Sequence, residues 1–162
     1  MKSKNEELKK SLTQIVVFLL GEERYGIKIS QVKEISLFPK FTAIPNSPDY
    51  VLGLVDLRGE VIILLDLEKK FHLTNNQKEK QKQHFIVCKS DSGKLGIVVD
   101  KVEGIIEISR EEVKETDDLI ESKISAEFFS GVIVHQDQVM VILDASKLLA
   151  DQEIKRLHKK NT

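Results

Sequence analysis

The chain has 162 residues, 41% hydrophobic and 31% charged, with 25 Lys and Arg against 26 Asp and Glu for a net charge of −1. That length suits one domain, which can bury roughly 70% of the surface its unfolded form exposes and needs no covalent staples. The balanced charge offers no basic field for nucleic acid, and the single cysteine, Cys88, excludes an internal disulfide.

Residues 1–13, MKSKNEELKKSLT, are polar and read as a flexible tail. The apolar run IVVFLL (15–20) then passes straight into Gly21-Glu22-Glu23-Arg24 with no small-residue cleavage site, so it is not an export signal. No stretch approaches the ~20 apolar residues that span a bilayer. A cytoplasmic protein without direct membrane insertion is expected.

QIVVFLL (14–20) is β-branched and strand-like, and Gly21-Glu22-Glu23 turns into RYGIKI (24–29). SQVKEI (30–35) has Ser30 as a candidate N-cap and Val32 and Ile35 spaced as on a helix, which predicts one helical turn. Pro39, Pro45 and Pro48 make the next stretch irregular. Strands are expected at 51–57 and 60–66, joined at Arg58-Gly59, where a glycine accepts the positive φ of a tight hairpin. Within 60–66, Val61, Ile63 and Leu65 form one face while Ile62 and Leu64 keep the other apolar. Such a strand must be covered on both sides.

LEKKF (67–71) suits one helical turn, and TNNQKEKQKQ (74–83), without an apolar residue, reads as a solvated loop. HFIVCKS (84–90) is a strand, Asp91-Ser92-Gly93 a turn, and KLGIVVDKVEGIIEI (94–108) continues as strand. SREEVKETDDLIES (109–122) begins as a short helix behind Ser109. A last hairpin covers 128–135 and 138–144 with Gln136-Asp137 at its tip, and 146–160 has helical period with a basic end.

The chain repeats itself. YGIKISQVKEI (25–35) aligns without a gap to LGIVVDKVEGI (95–105), and GLVDLRGEVIILLDL (53–67) to GVIVHQDQVMVILDA (131–145). Gly26 matches Gly96, Val32 matches Val102, and Gly53 matches Gly131, yet Gln136 stands where the first copy has Arg58. Scaffold positions recur and the charge does not. Two similar small barrels follow, and the second apolar face of each is expected to be covered by the other barrel or by a partner.

Motifs of chemistry are missing. The histidines (72, 84, 135 and 158) lack metal-ligand spacing, and there is no P-loop, G-x-S-x-G or G-x-G-x-x-G. Asp66 and Asp144 match each other and read as strand-end caps, and Cys88 reads as a core thiol. No catalytic residue, metal or cofactor is expected. Arg58, at an exposed tip with Asp56 and Glu60 beside it to orient it, suits protein binding, where a planar guanidinium makes several hydrogen bonds.

YGIKISQVKEI, IPNSPDYVLGLVDLRGEVIILLDL (44–67), GIVVDKVEGI (96–105) and GVIVHQDQVMVILDASKLL (131–149) together resemble the CheW family of bacterial chemotaxis coupling proteins. The resemblance implies a mainly β fold, with two intertwined SH3-like five-stranded β-barrels, short helices and a C-terminal helix. It implies one domain over 14–150 with a helical end at 151–162. It also implies a non-enzymatic scaffold between the histidine kinase CheA, through its regulatory domain, and the cytoplasmic tip of chemoreceptors, at membrane-associated arrays. Arg58 matches the family's key arginine. Ile29, Val32 and Val102 match receptor-groove positions, and Glu34 and Gly53 match positions implicated in coupling. Asp56 stands where the family usually has Asn, and Ile63 where Pro is common. An adaptor of the same fold in another CheA-type pathway, or an unrelated small barrel binding nucleic acid or a ligand, stays open at the level of sequence.

Overall fold

The β-branched runs form strands, as their composition favours. A computed structural model describes residues 12–73, 82–90, 93–114, 126–149, 153, 156 and 157. Its strands are β1 (Leu12–Leu20), β2 (Glu23–Lys28), β3 (Val32–Leu37), β4 (Val51–Leu57), β5 (Glu60–Asp66), β6 (His84–Ser90), β7 (Gly93–Val99), β8 (Lys101–Ser109), β9 (Phe129–His135) and β10 (Gln138–Leu143). Two one-turn helices, α1 (Leu67–Lys70) and α2 (Ala145–Leu148), follow β5 and β10. Asp66 and Asp144 cap them, accepting from Lys69 N at 3.2 Å and Ser146 N at 3.0 Å.

The strands form two five-stranded sheets, in the orders β8-β1-β2-β10-β9 and β3-β6-β7-β5-β4. Exchanging β1–β5 for β6–β10 turns one order into the other. The registers agree as closely. Tyr25 pairs with Val141 and Ile27 with Leu143 in parallel, as Leu95 pairs with Ile63 and Ile97 with Leu65. The bulge that skips Glu103 between β1 and β8 recurs as the one that skips Lys33 between β6 and β3. The expected duplication is therefore present, and it is intertwined: each sheet takes two adjacent strands from one half of the chain and three from the other.

Three apolar clusters explain the doubly apolar strands. Ile15, Val17, Ile133, Met140 and Ile142 fill the first barrel, and Val55, Ile62, Leu64, Phe85 and Val98 fill the second. A larger cluster between the barrels takes the alternate residues, among them Phe18, Ile27, Ile63, Leu65, Ile97, Val141 and Leu143. Each barrel is thus the second cover that the other's strands require. At the seam, the Lys70 ammonium lies 4.2 Å from the Tyr50 ring centroid and 5.4 Å from that of Phe128, the two matched aromatic residues.

Five expectations change. The helical turn expected at 30–35 is a 3-10 turn at Ile29–Gln31, and Val32 to Leu37 run as strand, because β6 supplies a pairing edge that overrides helical spacing. Residues 94–108 are two strands, broken at Asp100, whose halves enter different sheets. Leu149 is extended (φ −134°, ψ 138°), so the helix expected over 146–160 is interrupted there. Lys82 is no solvated loop residue: it is 17% exposed and pairs with Glu68 and Asp100. The tail also ends earlier than expected, since β1 begins at Leu12. The rest of the loop before Lys82, and most of the helical end, lie outside the described residues.

Candidate functional site

At the tip of the β4–β5 hairpin, Arg58 (φ 53°) and Gly59 (φ 84°) both take positive φ. This is the primed turn whose twist suits a two-residue hairpin. Glycine meets the demand freely, whereas an arginine in left-handed space is held there by its surroundings. Asp56 does part of that work by accepting from Gly59 N at 2.9 Å. The matched hairpin repeats the backbone with Gln136 (φ 52°) and Asp137 (φ 62°).

The guanidinium does not pair with Asp56 or Glu60, the neighbours expected to orient it. Its partner is Glu34 on β3. Asp56 is engaged by the turn, and Glu60 pairs with Lys94 of β7 at 2.5 Å. Because β3 and β4 are opposite edges of one sheet, the Arg58–Glu34 pair bridges the edges where the barrel closes. Arg58 nonetheless keeps 74% of its side chain exposed, against 24% for Glu34, which also accepts from Ser36 Oγ at 3.2 Å. The pair therefore fixes a direction for the guanidinium and leaves most of it open to a partner. Between these edges the barrel mouth is lined by Ile35, Leu37, Val55, Leu57 and Phe85.

Ile29, Val32 and Val102 occupy a second zone. All three are partly buried and pack against the cluster between the barrels. Ile29 opens the 3-10 turn between β2 and β3, Val32 lies opposite Cys88, and Val102 lies opposite Phe18. Val32 and Val102 are thus equivalent positions on the border of a shared core. Val32 is two residues along β3 from Glu34, which links this zone to the arginine.

Gly53 contributes differently. It is buried, and a Cβ there would lie 2.2 Å from the Thr42 carbonyl oxygen. Thr42 and Leu54 exchange backbone hydrogen bonds of 2.9 and 2.8 Å across this contact. Gly131 meets Lys114 in the same way, with Lys114 and Val132 exchanging bonds of 2.9 Å. Gly53 therefore lets a crossing segment lie on the hairpin that carries Arg58; it offers a partner no side chain.

The Arg58–Glu34 pair was missed by sequence reasoning, which looked only to near neighbours. The repeat carried a clue: Gly104 aligns with Glu34 just as Gln136 aligns with Arg58, so both members are missing together in the second half. The Cys88 thiol is fully buried and pushed up to about 12 by that burial. Among the described residues no cluster of His, Cys, Asp and Glu could hold a metal, and no helix is long and apolar enough to cross a membrane.

Residues 14–153 match the family model of the CheW-like domain. The chain is 36% identical to the chemotaxis protein CheW of Treponema pallidum over 147 residues, 89% of this chain and 86% of that protein. It is 29% identical to the chemotaxis protein CheW of Klebsiella aerogenes, covering 87% of this chain and 84% of that one. Its fold is similar to the crystal structure of the scaffolding protein TtCheW from Thermoanaerobacter tengcongensis, with a TM-score of 0.75, 29% identity, and coverage of 83% and 85% of the two chains.

Proposed function

This chain belongs to the CheW-like domain family, and from that premise we propose that it couples chemoreceptors to the histidine kinase CheA. It is a non-enzymatic scaffold of chemotaxis. In the proposed assembly the receptor's cytoplasmic helical tip lies along the border formed by Ile29, Val32 and Val102, and the kinase's regulatory domain takes the barrel ends. The work would be done in the cytoplasm, at membrane-associated receptor arrays.

The observation that carries this reading is the asymmetry of two otherwise equivalent hairpins. Backbone, register, bulges and core positions are duplicated, but the exposed arginine and its carboxylate partner occur once. The matched hairpin forms the same turn with Gln136 in place of Arg58, and Gly104 stands in place of Glu34, so the duplicated backbone does not depend on the pair. A residue that serves a partner need appear only where the partner binds. Ile29, Val32 and Val102 supply half-buried aliphatic surface, as an apolar helix face needs, and Glu34 holds Arg58 beside it.

The test is a pull-down with CheA and a receptor signalling fragment, with a single-stranded oligonucleotide as control, using Arg58→Ala, Arg58→Lys and Gln136→Ala. Wild type should retain both proteins and not the oligonucleotide. Arg58→Ala should lose coupling while its stability stays within about 0.5 kcal/mol, as for an exposed tip residue. Arg58→Lys should recover part, because an ammonium keeps the charge and loses the planar fork. Gln136→Ala should bind the receptor fragment normally. If Arg58→Ala binds as wild type but melts several degrees early, the arginine serves barrel closure and the assignment fails.

A further inference from the structure

One polar cluster lies away from the hairpin and has no counterpart in the other half. Glu68 of α1, Lys82 just before β6, Asp100 at the β7–β8 break and the Gly21 amide of the β1–β2 turn meet in one place. The matched positions elsewhere are Ser146, Leu12 and Ser30, which cannot build it. The side chains are 14%, 17% and 7% exposed for Glu68, Lys82 and Asp100.

The acceptors are divided unevenly. Gly21 N donates to Asp100 Oδ2 at 2.5 Å and to Glu68 Oε1 at 3.0 Å. Lys82 Nζ also donates to Glu68 Oε1. Lys82 Nζ forms an ion pair with Asp100 Oδ1 at 3.2 Å but off the line of a hydrogen bond, and that buried oxygen accepts no hydrogen bond from the described residues. So one carboxylate oxygen lacks a donor, while Oε2 of the adjoining carboxyl takes part in neither bond to Glu68. A buried acceptor without a donor is costly, and two carboxylates here face one ammonium.

We propose that Glu68 and Asp100 share one proton, carried on Glu68 Oε2 and donated to Asp100 Oδ1, and that this proton tightens the tie of α1 and the β7–β8 break to the β1–β2 turn. The surrounding charges fit. Burial above all holds the Glu68 carboxyl above the usual glutamate range; Lys82 pulls it down and Asp100 pushes it up. From β2, the Tyr25 hydroxyl donates to Glu23 Oε2 at 2.7 Å; burial above all holds its proton more tightly, then Glu23, with the Glu68 charge adding least. Because the folded state binds the Glu68 proton more tightly than the unfolded one, the tie is strongest below the ordinary glutamate value. It weakens as pH rises from there to the raised folded value.

The test needs no partner, so it stands apart from the proposed coupling function. Carboxyl NMR on the full chain should show Glu68 titrating above the ordinary ~4.3. Protection of the Gly21 amide, corrected for intrinsic exchange, should fall by up to about tenfold per pH unit between the ordinary and the measured midpoint. Glu68→Gln, whose amide can donate to Asp100 at any pH, should keep Gly21 protected throughout. Asp100→Asn should bring the Glu68 midpoint down; should that variant not fold, the wild-type titration and Glu68→Gln still decide. A Glu68 midpoint at or below the ordinary value, or parallel Gly21 profiles in wild type and Glu68→Gln, overturns the proposal.

Discussion

Arg58 shows what a single residue can and cannot reveal. Its exposure and its place at a hairpin tip were legible in the sequence, because an apolar run broken by Arg-Gly has few other readings. Its ion partner was not, because Glu34 lies on another strand and is brought near only by closure of the barrel. Gly26 and Gly96 show the same limit on the buried side. Their match revealed a shared scaffold position, but not how tightly each is packed. A Cβ at Gly26 would lie 2.5 Å from Ile15 Cγ2 and 2.7 Å from Ile142 Cδ1. At Gly96 the nearest atoms, on Leu64 and Phe85, are 3.1 and 3.2 Å away. Gly26→Ala should therefore destabilise by ~1–3 kcal/mol, as overpacking of a filled core does, and Gly96→Ala by clearly less. Urea unfolding of both variants checks this; equal losses would mean that the two barrel interiors yield alike.

At the scale of elements, strands and their hairpin partners were legible, and pairings between strands distant in the chain were not. The segment 94–108 was read as continuing strand, yet Asp100 divides it between two sheets; the charged Asp100-Lys101 pair interrupts its apolar run but does not say that the two parts take different partners. The segment joining the halves was read as a solvated loop. Residues 74–81 lie outside the described residues, but Lys82 at the segment's end is fastened to Glu68 and Asp100, and Gln83 is tied by backbone bonds to Phe38 and Val99. Tolerance should follow that boundary. Inserting a few Gly and Ser residues within 74–81 should leave the melting temperature within a few degrees, since each doubling of a loop costs only ~0.6 kcal/mol. Lys82→Met should cost more, about 1–3 kcal/mol, because it leaves two largely buried carboxylates without their ammonium. Thermal melts of both variants decide. An insertion more damaging than Lys82→Met would show that the segment itself carries structure.

The whole molecule follows from the exchange of strands between halves. The border residues Val32 and Val102 face a core to which both halves contribute, so a change there tests binding against folding. Val32→Glu should weaken receptor-fragment binding while circular dichroism stays native, since a half-buried side chain can turn its carboxylate to water until a helix covers it. An unfolded variant would instead place Val32 wholly in the core's service. The same exchange sets how the protein can fold. Separated from β6–β10, the first half keeps the β1–β2 and β4–β5 hairpins, but β3 loses β6, and the parallel pairings of β2 with β10 and β5 with β7 vanish. Isolated two-stranded hairpins are marginally stable at best in water, and the cluster between the barrels cannot form from one half. Two fragments divided within 74–81 should each be unfolded, and mixing them should restore sheet signal and one cooperative melt. The intact chain should likewise unfold in a single calorimetric transition. If either fragment folds alone, or the intact chain melts in two steps, each barrel is its own folding unit and the shared core is a contact between finished domains.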